Sequence, residues 1–300
     1  MRVETEALKI EHLYSQYRGL LLTLAYQMTG EWSDAEDVVQ DVFLKAFHAQ
    51  PPGLKEESKA YLCKMVVNRC RDLHKSARKR RERYVGEWLP EPVPTSEDGP
   101  LEQIMRDELL SYATMVLLEK LSPAERAVFV LREALGIDHA GIARIIDKSE
   151  MNCRKLFSRA KGKLNEGNLE IGEQGRNKNE REAWIRQFVS AFGQDQTEQI
   201  IDMLSDDIVL VSDGGGKVSA AVRPIAGREY VMAFLLGIFR KMSQPDHEAM
   251  SFEFREINGQ TGIVFLVGGQ IDSVVMLQAQ GQSLRRIYII RNPDKLRNFR

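Results

Sequence analysis

The chain has 300 residues, 43% hydrophobic and 28% charged, enough for two or three domains with real cores. Its 42 Lys and Arg nearly balance 43 Asp and Glu, so the net charge of −1 identifies no partner and local clustering must be read instead. No apolar run approaches the roughly 20 residues that span a bilayer, and the opening MRVETEALKIEHLY is too acidic and amphipathic for a signal peptide. A membrane protein is therefore excluded and a cytoplasmic one expected.

Residues 1–84 read as a helical domain, broken at Thr29-Gly30 and at Pro51-Pro52-Gly53. Its second helix begins Ser33-Asp34-Ala35-Glu36, where Ser33 and Glu36 predict a capping box and the acids suit the positive end of the helix dipole. Val39, Val42, Phe43, Ala46 and Phe47 form a buried stripe. Asp37, Gln40, Asp41 and Lys45 share the outer face. Residues 64–83 then gather nine Lys or Arg against Asp72 and Glu82, a cluster that suits a polyanion. Cys63, Cys70 and, further on, Cys153 lie in helical patterns without metal-ligand spacing. They are expected to act as small apolar residues in a reducing compartment, and no metal or cofactor is expected.

Residues 85–100, VGEWLPEPVPTSEDGP, contain four prolines and two glycines and predict an extended linker. Trp88 and Leu89 are large apolar neighbours inside it, and such a pair asks for a surface to bury against. Residues 101–165 return to helix. Ser122-Pro123-Ala124-Glu125 opens one helix with a cap, a proline at the first position and an acid in the first turn. In residues 136–164 a short helix with Ile142, Ala143, Ile145 and Ile146 on its apolar face breaks at Asp147-Lys148. Ser149 caps a second helix whose inward residues are Cys153, Leu156, Phe157, Ala160 and Leu164. Its free side carries Asn152, Arg154, Lys155, Arg159, Lys161 and Lys163. A capped basic helix propped by a shorter one fits a major groove; the alternative is an amphipathic hairpin with a solvated basic face.

A polar connector, 166–179, leads to residues 180–300. There, helical patterns at 180–204 and 228–242 mix with alternating segments around 208–211, 252–254, 263–267, 274–277 and 287–290. Asn258-Gly259 between two of them predicts a hairpin. This block is expected to be α+β, a curved antiparallel sheet packed on helices.

The order DAEDVVQDVFLKAF, YLCKMVVNRCRDLHKSARKRR, a linker, and LSPAERAVFVLRE before a helix-turn-helix resembles bacterial RNA polymerase sigma factors of the extracytoplasmic-function group, over about residues 5–165. SEMNCRKLFSRA, WLPEP at 88–92, DGGGK at 213–217 and NPDKL at 292–296 are similar to the subgroup with a C-terminal SnoaL-like domain, which extends the likeness over nearly the whole chain. The resemblance implies two all-α sigma domains and an α+β SnoaL-like cone. It implies that Asp37, Gln40 and Asp41 dock on the clamp helices of the largest polymerase subunit. By the same resemblance Asn68, Arg69, Arg71, Asp72, His74, Lys75, Arg78, Lys79 and Arg80 bind the −10 element of promoter DNA, and Ser149, Asn152, Arg154, Lys155 and Arg159 meet the −35 element. Trp88, Leu89 and Pro90, with Asp213, Gly214, Gly215, Gly216 and Lys217 and with Asn292, Pro293, Asp294, Lys295 and Leu296, would regulate these activities in place of a separate anti-sigma protein. The turn departs from the family pattern, which often has glycine and then an apolar residue where Asp147-Lys148 stands; Asp tolerates the left-handed conformation better than most residues.

The chain is thus expected to carry no catalysis of its own. The alternative is a helix-turn-helix regulator independent of polymerase, with a ligand-sensing or enzymatic C-terminal domain. For an enzyme, that block offers only His247 and the turn-forming Asp213 and Asp294, and its triple glycine is weak as an anion cradle. A small-molecule or protein signal could act at the same domain.

Overall fold

The computed structural model describes residues 2–49, 54–81, 84–95, 111–165, 178–193, 196–242 and 250–299. His247, the connector at 166–177 and the linker beyond Thr95 lie outside the described residues. Among the described residues no helix is long and apolar enough to cross a membrane. Contacts divide the chain into two units: residues 1–82, 97–110 and 114–169 form one, and 83–96, 111–113 and 170–300 the other. The two helical blocks read separately in the sequence therefore share a unit, and the described part of the proline-rich linker is built into the second.

The first unit contains α1 (Arg2–Thr29), α2 (Trp32–Ala49), α3 (Leu54–Arg81), most of α4 (Tyr112–Leu118), α5 (Pro123–Glu133), α6 (His139–Ile146) and α7 (Glu150–Asn165). Gly30 ends α1 at φ 76°, a conformation glycine adopts without steric cost, and donates its N–H to the Tyr26 carbonyl at 2.8 Å. Helix α2 starts two residues earlier than the predicted box requires, at Trp32 rather than Asp34. Glu31 precedes it, the Ala35 N–H reaches the Glu31 carbonyl at 3.1 Å, and Ser33 falls inside the first turn. The box at α5 does form: the Ser122 hydroxyl accepts from the Glu125 N–H and the Glu125 carboxylate accepts from the Ser122 N–H. Burial raises the Glu125 pKa, but hydrogen bonds from Lys163 and Ser122 outweigh it and hold the group below its ordinary value.

The two blocks meet inside this unit. Arg126 of α5, only 3% exposed, donates from Nε to the Gln27 carbonyl near the end of α1 and from Nη1 to the Glu119 carboxylate. Lys64 of α3 pairs with Asp147 at the end of α6, 2.6 Å apart. The cysteines are free and buried, and burial lifts the thiols of Cys63 to about 11 and Cys70 to about 12, with Cys153 also raised. A thiol is reactive only as thiolate, so at pH 8 a thiol-labelling reagent should leave all three untouched in the native chain and modify all three in denaturant; rapid native labelling would contradict their burial.

The second unit packs α8 (Lys178–Gly193), α9 (Thr197–Met203) and α10 (Arg228–Met242) on a six-stranded sheet. Its strands are β1 (Leu204–Asp213), β2 (Ile225–Ala226), β3 (Met250–Ile257), β4 (Gln260–Val267), β5 (Gln270–Gln280) and β6 (Ser283–Ile290), ordered β2-β1-β6-β5-β4-β3. The sheet is mixed rather than antiparallel throughout, because β1 and β6 run parallel. Alternating burial along a strand reports which face is covered and carries no information on the direction of its neighbour. Irregular register in the β1–β6, β4–β5 and β5–β6 pairings supplies the bulges that bend a sheet around a core. Asn258 and Gly259 turn β3 into β4 with φ of 52° and 69°, the paired positive values of a tight hairpin.

Candidate functional site

Two surfaces in the first unit carry the residues expected to bind polymerase and DNA. Helix α6 is capped by Asp138, whose carboxylate accepts from the Gly141 N–H at 2.7 Å, and ends on Asp147 at φ 53°, ψ 53°. The left-handed residue that turns the chain into α7 is therefore an aspartate. The Ser149 hydroxyl accepts from the Asn152 N–H at 3.3 Å and satisfies one orphan donor at the start of α7. Cys153, Ala160 and Leu164 bury the inner side of α7, and Phe157 stacks on Phe129 and meets His139 edge-on. Ser149, Asn152, Arg154, Lys155 and Arg159 are all exposed. Lys161 and Lys163 share the free side in sequence but pair with Glu133 and Glu125 of α5, so the outward cations that remain are Arg154, Lys155 and Arg159. Arg154 holds Glu150 at 2.6 Å across one turn, an exposed pair that a guanine edge can displace. Met151, 68% exposed beside Asn152, was not singled out in the sequence; its signal is an apolar residue out of phase with the buried stripe.

On α2, Asp37 and Gln40 are exposed, while Asp41 accepts a two-pronged contact from Arg69 of α3, with Nε and Nη2 each 3.0 Å from Oδ2. Leu44 is 54% exposed one turn beyond Gln40 and breaks phase with the stripe in the same way as Met151. Along α3, Asn68 and Asp72 are exposed, and Arg69, Arg71 and His74 half-buried. Lys75, Arg78, Lys79 and Arg80 continue that helix, and their side chains lie outside the described residues.

The three short motifs meet in the second unit. Asp213, fully buried at the end of β1, accepts from Tyr84 Oη at 2.6 Å and the Gly215 N–H at 2.9 Å on one oxygen. On the other it accepts from the Leu89 N–H at 3.0 Å and Lys295 Nζ at 2.7 Å. Lys295, 6% exposed, also donates to the Leu89 carbonyl and lies 4.1 Å from the Trp88 ring centre, over its face. Both backbone polar groups of Leu89 are thereby held by one buried ion pair, and its side chain is 1% exposed. Lys217 pairs with Asp294, and that bond, with Arg297 behind it, keeps the Asp294 carboxyl below its ordinary pKa.

The triple glycine is shaped by packing. A Cβ on Gly214 would lie 2.4 Å from the Val218 carbonyl oxygen, and one on Gly215 would lie 2.5 Å from the Asn292 side chain. The anion that this turn cradles is the chain's own Asp213. Asn292 joins in by donating to Tyr84 Oη at 2.8 Å and accepting from the Asp294 N–H at 3.1 Å. Beyond Leu89, Pro90 accepts from Tyr112 Oη at 2.6 Å, and Glu91 accepts from Asn298 at 2.8 Å. Val93 exchanges bonds with Asn258, and Pro94 bridges Ile257. Tyr84, Val93, Tyr112 and Asn298 escaped the sequence reading because none lies in a quoted motif, while Asn258 was read only as half of a hairpin turn and Glu91 only as part of WLPEP. Pro293 and Leu296 complete the turn that presents Lys295. Among the described residues no cluster of His, Cys, Asp and Glu could hold a metal.

A helix-turn-helix with an outward basic face, an acidic helix and a basic helix within one unit define a promoter-recognition protein of the sigma type. Residues 13–81 match the family described as Sigma-70 region 2 and residues 113–164 that described as Sigma-70, region 4. The chain is 32% identical over 231 residues to the ECF RNA polymerase sigma factor SigJ of Mycobacterium tuberculosis, spanning 76% of this chain and 72% of that one. It is 27% identical over 284 residues to a probable ECF RNA polymerase sigma factor, SigI, of the same species, spanning 93% and 92%. The crystal structure of SigJ superposes with a TM-score of 0.76 at 26% identity, over 99% of each chain. The chain belongs to the extracytoplasmic-function family of RNA polymerase sigma factors. As a sigma factor it binds core RNA polymerase and directs it to promoter DNA for initiation.

Proposed function

We propose that this sigma factor is held in check by its own second unit, which grips the linker between the polymerase- and promoter-binding blocks. The observation that carries this reading is the capture of both Leu89 backbone groups by Asp213 and Lys295. Elements named for positions about 25 base pairs apart lie on the order of 85 Å apart along B-DNA. In the first unit α3 and α6 are instead tied through Lys64 and Asp147, so the blocks must separate to reach both. Releasing residues 84–95 would free 12 residues, roughly 40 Å of extended chain. In this reading the chain acts in the cytoplasm, where polymerase is, and catalyses nothing itself. The carboxylates of Asp213 and Asp294, considered for an enzymatic reading, are occupied by Lys295, Lys217 and Arg297.

The residue roles follow from placement. Asp37, Gln40 and Asp41, with Leu44 added, form the polymerase-docking face; Asn68 to Arg80 serve the −10 element; and Ser149, Asn152, Arg154, Lys155 and Arg159, with Met151, serve the −35 element. Asp37→Ala with Leu44→Ala should reduce co-purification of core polymerase at least about fivefold, as truncation at an interface hot spot does. Stability should change by no more than about 0.5 kcal/mol per site, since both positions are exposed. Undiminished recovery of polymerase would remove α2 from the docking face.

A further inference from the structure

The second unit holds a partly open cavity of about 500 Å³ between its helices and the sheet. Well-packed interiors hold few voids larger than one water, whose share of liquid volume is about 30 Å³. A space this large falls within the range of small-molecule sites, about 300–1,000 Å³. Its helical wall is aromatic: Phe188, Phe192 and Phe239 line it, with Phe192 and Phe239 stacked at 4.4 Å. Its sheet wall is aliphatic, with Ile263, Val275 and Ile287 among the lining residues.

The polar groups gather at one end. Among the described residues, Asp272 and Arg291 are the only charged ones lining the cavity, and they neutralise each other at 2.7 Å. The hydroxyl-bearing residues Ser212 and Ser273 line the same space. A cation would meet Arg291 and an anion Asp272, each shedding its hydration in an apolar chamber, so charge is penalised in either sign. A neutral group that both donates and accepts finds a partner for each.

This floor is continuous with the linker clamp. Ser212 and Asp213 are neighbours on β1, where successive side chains point to opposite faces, so one lines the cavity while the other holds Leu89. The N–H groups of Arg291 and Asn292 both donate to the Asp213 carbonyl, at 2.7 and 3.0 Å, and Lys295 follows three residues later. A shift in the floor therefore moves the backbone on which both halves of the clamp are mounted.

We propose that this cavity binds an uncharged, predominantly apolar small molecule with a single hydrogen-bonding head, and that its occupancy loosens the hold on the linker. The second half rests on the autoregulatory reading above. Two fluorescent probes that differ in charge test the first half on the full-length chain: N-phenyl-1-naphthylamine, uncharged with one N–H, and its anionic relative 1-anilinonaphthalene-8-sulfonate. The neutral probe should bind at one site with saturable, blue-shifted emission, and the sulfonate at least about tenfold more weakly, since its charge must be desolvated. Ala221→Phe, which places a ring in the cavity, should abolish binding of the neutral probe. Ser273→Ala, which removes only the hydroxyl at the floor, should weaken it severalfold and serves if the larger replacement does not fold. Equal binding of both probes, or binding unaffected by both substitutions, would overturn the site.

Hydrogen exchange of residues 84–95 reads the coupling. Saturation with the neutral probe should speed it at least about threefold, and unchanged exchange on a saturated chain would overturn the coupling while the site stands. The autoregulatory reading is tested separately without probe: Lys295→Met should speed exchange of the same segment, so the two failures are distinguishable.

Discussion

Lys295→Met is expected to destabilise the second unit by about 3–5 kcal/mol, because it leaves the Asp213 carboxylate buried without its cation. At roughly 2–4 °C per kcal/mol for a unit of this size, its thermal midpoint should fall on the order of 10 °C. The substitution also removes the donor to the Leu89 carbonyl and the cation over Trp88, so the linker should detach and promoter-directed transcription with core polymerase should rise. Adding Asp213→Leu should recover part of the lost stability, since an apolar pair of similar volume escapes the penalty of one unpaired charge. It should not restore repression, because no group then grips Leu89. A double variant that regains both would assign control to packing rather than to the backbone grip.

Arg126→Met should act on the other unit. The guanidinium is 3% exposed and joins α5 to the end of α1; without it the Glu119 carboxylate, 15% exposed, loses its cation and the Gln27 carbonyl loses a donor. The expected cost is about 2–4 kcal/mol, falling on the packing of one helical block against the other. Small-angle scattering should then report a larger radius of gyration, and the chain should initiate transcription without release of the linker. Unchanged dimensions with unchanged transcription would show that the blocks separate at no cost and that Arg126 is simply a buried residue of α5.

The sequence was informative wherever a structure is specified by near neighbours. The Ser122-to-Glu125 box, the left-handed Asp147, the cap at Ser149 and the Asn258-Gly259 hairpin each depend on residues within four positions of one another. It was silent or misleading where partners are distant. Asp213 read as a turn-former beside glycines, yet its carboxylate is shared by Tyr84, Leu89 and Lys295, from 82 to 129 residues away. Ser33 had the right partner at Glu36 but the wrong frame, because Trp32 is buried and draws the start of α2 back to itself. The parallel pairing of β1 with β6, and the two-residue β2, follow from a topology that periodicity does not encode. Leu44 and Met151 were visible as apolar residues on polar faces, a signal lost when attention stays on the charges.

The pairing of Asp41 with Arg69 has a consequence for the order of assembly. On the roles proposed above, one partner of this pair serves polymerase and the other serves DNA, so in the free chain each masks the other. When polymerase takes the carboxylate, the guanidinium is set loose for the promoter, and capture of the guanidinium by DNA frees the carboxylate equally. Reciprocity requires the two gains to match. For an ion pair with side chains 38% and 40% exposed, the gain is at most about 1 kcal/mol, or roughly fivefold in affinity. A single surface contact thus gives holoenzyme a modest preference for promoters over the unattached subunit, and sets its upper limit.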